Sequence, residues 1–262
     1  MKLKMTTNLH THTFRCRHAS GTEREYIETA LAGGLTTLGF SDHSPYAFPE
    51  DHYSGFRMAN DLIDDYVSTI VALREEYRGK IDIKIGYELE YYPKFFRDTL
   101  KMITAHDVDY VILGQHYLGN EIDELHCGVS TPDESIFVRY IDQVIEAIDT
   151  GIYTYVAHPD MLNFTGDEAV FDRHYARLIE HAKDTDTPLE INFLGMRTQR
   201  FYPHERFFKL CGEIGAPVCC GCDAHRADDA ADPASFTKTV EWIEKYGLNY
   251  VASPTLRKVH CI

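Results

Sequence analysis

The sequence predicts an α/β barrel built on parallel strands. Three observations predict it. Short apolar or β-branched runs alternate with amphipathic stretches eight times along 262 residues. The amphipathic stretches open and close with helix start and stop signals. Most of the apolar runs end in a histidine or a carboxylate.

The candidate strands are residues 6–12, 37–43, 82–90, 109–117, 153–158, 188–193, 217–223 and 248–253. Eight strands with helical crossovers suit a closed barrel better than an open sheet, and the shortness of several points to a distorted or incomplete one. Thr22 with Glu25 gives a capping box ahead of REYIETALA. Thr131, Pro132 and Glu134 give a start signal ahead of SIFVRYIDQVIEAI, with Pro132 expected at the first helical position. Asp232-Pro233 repeats that logic before the helix containing Trp242. Gly215 and Gly247 fall just past helix ends, where a left-handed residue is wanted. No low-complexity linker, repeat or internal boundary interrupts the pattern, so a single domain over residues 1–262 is expected. The longest irregular segments, 44–59, 119–131 and 159–168, each follow the C-terminal end of a strand. That is the face on which barrels build their sites.

Composition narrows the function classes. A hydrophobic content of 44% suffices for one sizeable core. The formal charge is −15, and no basic run offsets it, which excludes the usual nucleic-acid or anionic-membrane binder. No apolar run approaches the roughly 20 residues needed to span a bilayer. MKLKMTTNLHTH has two lysines but no apolar core of a signal peptide. Seven cysteines, an odd count without an export signal, lead us to expect a reduced, cytoplasmic protein. The run Cys219-Cys220-Gly221-Cys222 has no paired CxxC elsewhere and sits in an apolar strand, so it reads as buried small hydrophobes.

The chemistry gathers at the strand ends. His10 and His12 are i and i+2 on the first strand and project from one face, where two imidazoles can chelate a metal. The second strand, TLGFSDH, ends at His43. The third, IKIGYELE, ends in Glu88 and Glu90. The fourth ends at His116, the fifth at His158, and the seventh in Asp223 and His225. In a parallel barrel these ends share one rim and converge. His52, His106, His126, His174, His181, His204 and His260 lie on loops, helices or the tail without that register and are left out of the metal set.

These residues resemble the PHP (polymerase and histidinol phosphatase) family of metal-dependent phosphoesterases. HTHTFRCRHASG resembles its first motif, GFSDHSP its second and GYELEYYP its third. AHPDML, then GMR with YPHE, resemble later segments, and GCDAH resembles the last. The resemblance spans essentially the whole chain and is strongest to the stand-alone histidinol-phosphate phosphatases. It implies a distorted (β/α)7 barrel holding three divalent metals at the C-terminal strand ends. One ion would take His10, His12, Glu88 and Asp223. A second would share Glu88 and add His116 and His158. A third would take His18, His43 and His225. Glu88, Asp223 and His225 would be the catalytic core.

Mixed histidine and carboxylate donors suit Zn²⁺, Fe²⁺ or Mn²⁺. Clustered ions of that kind activate water and neutralise phosphate, so a metal-bridging hydroxide attacking phosphorus is the expected mechanism. Arg197 is expected to bind the phosphate with its planar fork, with Arg200 as its substitute and Arg15 and Arg17 as weaker candidates. Asn192 is expected to be a structural hydrogen-bonder. The substrate implied by the resemblance is L-histidinol phosphate, a small molecule of histidine biosynthesis, with Glu90, Tyr91 and Tyr117 forming the wall around its organic part, Glu90 being open as well to a place behind the ligands or to direct ligation. The other readings are the same chemistry on a nucleotide or sugar phosphate, a metal-binding module without turnover, and a nuclease-like module. The acidic charge opposes the last.

Overall fold

A computed structural model describes residues 3–49, 52–123 and 125–261. Eight parallel strands form one curled sheet in sequential order. They are β1 (Thr7–Asn8), β2 (Thr37–His43), β3 (Asp82–Glu88), β4 (Tyr110–Leu113), β5 (Tyr153–Val156), β6 (Leu189–Asn192), β7 (Pro217–Gly221) and β8 (Asn249–Tyr250). The helices are α1 (Glu23–Ala32), α2 (Ile63–Glu76), α3 (Pro93–Ile103), α4 (Glu134–Asp149), α5 (Glu168–Asp184), α6 (Phe193–Thr198), α7 (Glu205–Ile214) and α8 (Pro233–Tyr246). Each apolar run of the sequence is a strand. Several strands end earlier than the sequence suggests, and the candidate ligands then lie in the residues just beyond them.

The start signals explain most helix boundaries. The Thr22–Glu25 capping box is complete. Asp232 caps α8 by accepting the Ser235 N–H, with Pro233 in the first turn. Gly215 and Gly247 end α7 and α8 in the left-handed region, at φ 82° and 62°. The α4 signal is displaced. Asp133 is the cap, accepting from the Ser135 N–H, so Pro132 lies outside the helix. Thr131 instead bridges to Phe164, and its Oγ1 accepts the Asp133 N–H at 3.2 Å. An Asx cap two residues before Ser135 outcompetes the threonine.

Past β1 the chain stays between β2 and β7. Ser41 N–H donates to Thr11 O at 2.8 Å on one side, and His12 N–H to Ala224 O at 2.9 Å on the other. The buried Asn8 amide locks this seam. Its Oδ1 accepts from the His10 and Cys222 N–H groups, both at 3.1 Å, and its Nδ2 donates to Thr11 Oγ1 at 2.9 Å. β8 meets only the start of β7, at Pro217 and Val218.

The larger core lies between sheet and helices. A smaller one, Leu9, Tyr110, Ile112, Tyr155, Ala157 and Cys219, fills the inside of the curl. Tyr110 is its centre. It is fully buried, its hydroxyl donates to Leu9 O at 2.8 Å, and a Cβ on Gly39 or Gly86 would collide with its ring. Cys219, Cys220 and Cys222 are buried free thiols, as their apolar setting implies. Among the described residues, no helix is long and apolar enough to cross a membrane.

Because Tyr110 fills the centre of the inner core, Tyr110→Ala is expected to cost about 3–5 kcal/mol of unfolding free energy. A denaturant titration against the parent chain measures it.

Candidate metal centre

The site is built on Glu88, the last residue of β3. The β2–β3 register sets His43 beside it, and Gly114 after β4 leaves the space its carboxylate fills, since a Cβ there would overlap Oε1. Five imidazoles meet this one buried carboxylate. His158 Nε2 lies 2.8 Å from Oε1 and His116 Nε2 3.5 Å from it. His43 Nδ1 lies 2.9 Å from Oε2, and the Nε2 atoms of His10 and His12 lie 3.6 Å from it.

Asp223 closes the first group. Its Oδ1 is 3.6 Å from His10 Nε2 and 3.2 Å from His12 Nε2. Each of the two imidazoles thus stands 3.2–3.6 Å from each of the two carboxylates. A tetrahedral ion with bonds of about 2.1 Å sets its ligands about 3.4 Å apart. His10 Nε2, His12 Nε2 and Glu88 Oε2 are buried and make no hydrogen bond. Such atoms need a partner, and one divalent cation satisfies all of them. A second group forms at the rim, where His18 Nε2 faces His225 Nε2 at 3.0 Å. Donor atoms of His18, His43 and His225 lie within 4.8 Å of one another, as do those of His10, His158 and Asp223.

Electrostatics agree. Burial alone would raise the Glu88 carboxyl, but His116, His43 and His10 hold it well below the usual carboxylate range. Burial would lower His10, but Glu190, Asp223 and Glu88 push it up to about 10. The carboxylates create a negative field that draws cations.

A layer of carboxylates stands behind the imidazoles. His10 Nδ1 meets Glu190 Oε1 at 2.8 Å, His12 Nδ1 faces Asp42 Oδ1 at 3.5 Å, and His116 Nδ1 meets Glu90 Oε1 at 2.9 Å. This fixes which nitrogen points at the site. Sequence reading missed Glu190 and Asp42, although a charge second in the apolar strand LEIN and one inside GFSDH were the available signals. Glu190 also accepts the His158 N–H at 3.0 Å, and Gly221 makes way for its carboxylate. His158 and Asp223 adopt φ of 30° and 45°, a conformation L residues rarely hold.

The nine expected metal ligands converge at one place. The expected substrate residues divide. Tyr117 lines the cavity, which measures about 450 Å³. Glu90 does not. It is fully buried behind His116, with both oxygens 3.1 Å from Arg57, because an inward-facing carboxylate at that depth needs a cation. Arg57 also donates to Ser44 O at 2.8 Å and to Glu121 Oε2 at 2.9 Å, tying the loops after β2 and β4 together. Arg197 turns away from the cavity. Its fork donates to Cys222 O at 2.7 Å and Asp223 O at 3.0 Å, bracing the end of β7. Arg200 lines the cavity instead, its Nη1 donating to Tyr202 Oη at 2.6 Å. Arg15 pairs with Glu23 and Asp65, Arg17 bonds Ser54 O, and Tyr91 packs edge-on against Phe96. Asn192 is the structural hydrogen-bonder expected: it caps α6 and donates to Glu190 and Asp223. His126, Phe56 and Met161, from the three long irregular segments, also line the cavity (Glu50, Asp51 and Glu124 of those segments fall outside the described residues).

Removing one of these rear carboxylates tests the arrangement. Glu190→Gln keeps shape and is expected to weaken metal affinity about 10–100-fold while the circular dichroism stays that of the parent. A chelator competition titration reads the loss.

Comparison with known proteins follows the same line. Residues 8–193 match the model of the PHP domain family. The histidinol-phosphatase of Bacillus subtilis is 31% identical over 253 residues, covering 84% of this chain and 93% of its own. The histidinol-phosphatase of Lactococcus lactis is 28% identical over 259 residues, covering 93% and 92%. A crystal structure of histidinol phosphate phosphatase from Lactococcus lactis, complexed with Zn, L-histidinol and phosphate, superposes with a TM-score of 0.73 at 22% identity, covering 95% of this chain and 96% of that one. The fold is shared, and the chain belongs to the PHP domain family.

Proposed function

We propose that this chain hydrolyses L-histidinol phosphate to L-histidinol and phosphate. The observation that carries the reading is the set of four buried donors, His10, His12, Glu88 and Asp223, in which each imidazole lies 3.2–3.6 Å from each carboxylate and three of the donor atoms make no hydrogen bond. The relatives named histidinol-phosphatase, and the Lactococcus lactis enzyme that holds Zn, L-histidinol and phosphate, supply the substrate.

The architecture is read as a distorted (β/α)7 barrel forming a single domain over residues 1–262. The seam of β1 against β7 and the marginal β8 support that reading. Three divalent ions, Zn, Fe or Mn, would be held as His10/His12/Glu88/Asp223, Glu88/His116/His158 and His18/His43/His225. When bound, such ions lower the pKa of water and neutralise phosphate charge. The chain's own residues do the rest. Glu88 offers one oxygen to each of two groups of imidazoles. Asp223 and His225 reach the cavity together from the end of β7. Arg200, which lines the cavity, is read as the phosphate-facing cation, while Arg197 holds the backbone at Asp223 just past β7. In the reaction water adds to phosphorus, the ester P–O bond breaks, and the departing alkoxide takes up a proton. The substrate is a small molecule, with no role for nucleic acid or membrane, and the working compartment is the cytoplasm.

A substrate panel tests the activity. L-histidinol phosphate is expected to exceed nucleotides and p-nitrophenyl phosphate in kcat/KM, and Asp223→Asn to lower that value by about 100-fold or more. Equal rates across the panel would defeat the named substrate. Elemental analysis is expected to give about three transition metals per chain, and fewer than about two would defeat the trinuclear set. His18 is exposed and held by a loop, whereas His10 and His12 sit in the β1–β7 seam. Stepwise chelation is therefore expected to release the His18 ion first.

A further inference from the structure

The floor of the cavity accounts for phosphate, but a selective enzyme must also read the rest of the ester. The chain after β4 doubles back to do so. Tyr117 and His126 face each other in an antiparallel bridge, flanked by bonds from Leu118 N–H to Leu125 O at 3.0 Å and from Cys127 N–H to His116 O at 2.7 Å. The two rings meet edge to face with centroids 4.9 Å apart, and both line the cavity. Phe56 stacks on Tyr117 with centroids 6.0 Å apart, and Met161 completes the wall.

The His126 ring is held in one state. Its Nδ1 lies 3.0 Å from the Gly128 N–H and accepts from it. A ring nitrogen that accepts carries no proton, so the neutral imidazole bears its proton on Nε2. Burial, with His116 and His158 nearby, favours the neutral form. Gly128 is required for this placement. A Cβ there would stand 2.8 Å from His126 Cε1 and 2.9 Å from Nδ1.

We propose that His126 is a specificity-determining residue, whose Nε2–H donates to an unprotonated ring nitrogen in the organic part of the phosphate ester. The inference rests on the histidinol phosphate reading and deepens it. Flat aromatic and thioether walls suit a planar heterocycle, and a fixed donor suits an acceptor on its edge. A donor left without its acceptor rejects rings that lack one.

The test compares L-histidinol phosphate with phenyl phosphate, which has no ring nitrogen, in the metal-loaded chain and in His126→Phe, His126→Gln and Gly128→Ala. The Kd of L-histidinol by calorimetry is a second readout. In His126→Phe and Gly128→Ala, the ratio of kcat/KM for histidinol phosphate over phenyl phosphate is expected to fall about 10–100-fold, with L-histidinol binding weakened in step. His126→Gln, which keeps a donor, is expected to restore most of the ratio. An unchanged ratio, or equal loss on both esters in all three variants, would overturn the role of His126 alone. A parent chain that hydrolyses no phosphate ester would overturn the proposed function and this inference with it.

Discussion

The site depends on one buried carboxylate. Glu88 is 1% exposed, and among the described residues five imidazoles, and no lysine or arginine, pair with it. A carboxylate so placed is costly unless a cation compensates it. The surrounding imidazoles hold it in its charged form, and cations bound between them would compensate it further. The fold enforces the cost from outside. β2 and β3 pair over seven residues and fix His43 beside Glu88, Gly114 admits the carboxylate from behind, and the Asn8 seam brings His10 and His12 across from β7.

The same constraint explains the rear layer. An imidazole presents a chosen nitrogen only if the other is engaged. Glu190 and Glu90 engage the far nitrogens of His10 and His116, and Asp42 faces that of His12 at 3.5 Å. Each adds negative charge inside the protein. Glu90 offsets its charge through Arg57, whose guanidinium is 2% exposed and lies over the rings of Tyr46, Phe48 and Phe56. Arg57 therefore couples His116, through Glu90, to the loop that carries Phe56 into the cavity. Breaking that pair would leave a buried charge without its partner, so the loop and the ligand stand or fall together.

Strand-borne features were legible in the sequence, and loop-borne ones were not. Apolar runs ending in His43, Glu88, His116, His158 and Asp223 announce a shared rim, because topology alone converges parallel strand ends. Glu190 was hidden because it lies within a strand, where a lone charge reads as noise. His126 was set aside because its register is that of a loop, and only the fold of 116–127 returns it to the cavity. Arg197 and Arg200 show the limit best. They are three residues apart at the end of one helix, and sequence favoured the first. The left-handed Gln199, at φ 55°, ends α6 between them and turns them apart, Arg197 to the β7 carbonyls and Arg200 to the cavity. The α4 start was misplaced for a similar reason, since the choice between Thr131 and Asp133 is decided by the Phe164 bridge.

β6 gives the site no metal donor of its own, yet it decides how the donors point. Asn192 closes this strand, and its Oδ1 caps α6 by accepting the Gly195 N–H at 3.0 Å. That fixes the amide, and its Nδ2 then donates to Glu190 at 2.9 Å and to Asp223 Oδ2 at 3.1 Å. With Oδ2 engaged, Asp223 presents Oδ1 to His10 and His12. The helix that carries Arg197 and leads to Arg200 is anchored by the same side chain. One amide thus sets the orientation of the Asp223 carboxylate, of the carboxylate behind His10, and of the short helix that precedes Arg200. The strained φ of Asp223 is tolerable because Arg197 holds its carbonyl and Asn192 its carboxylate. The floor of the cavity is consequently a rigid, over-determined surface. Discrimination between esters then falls to the walls, which are made of loop residues that the strands do not constrain.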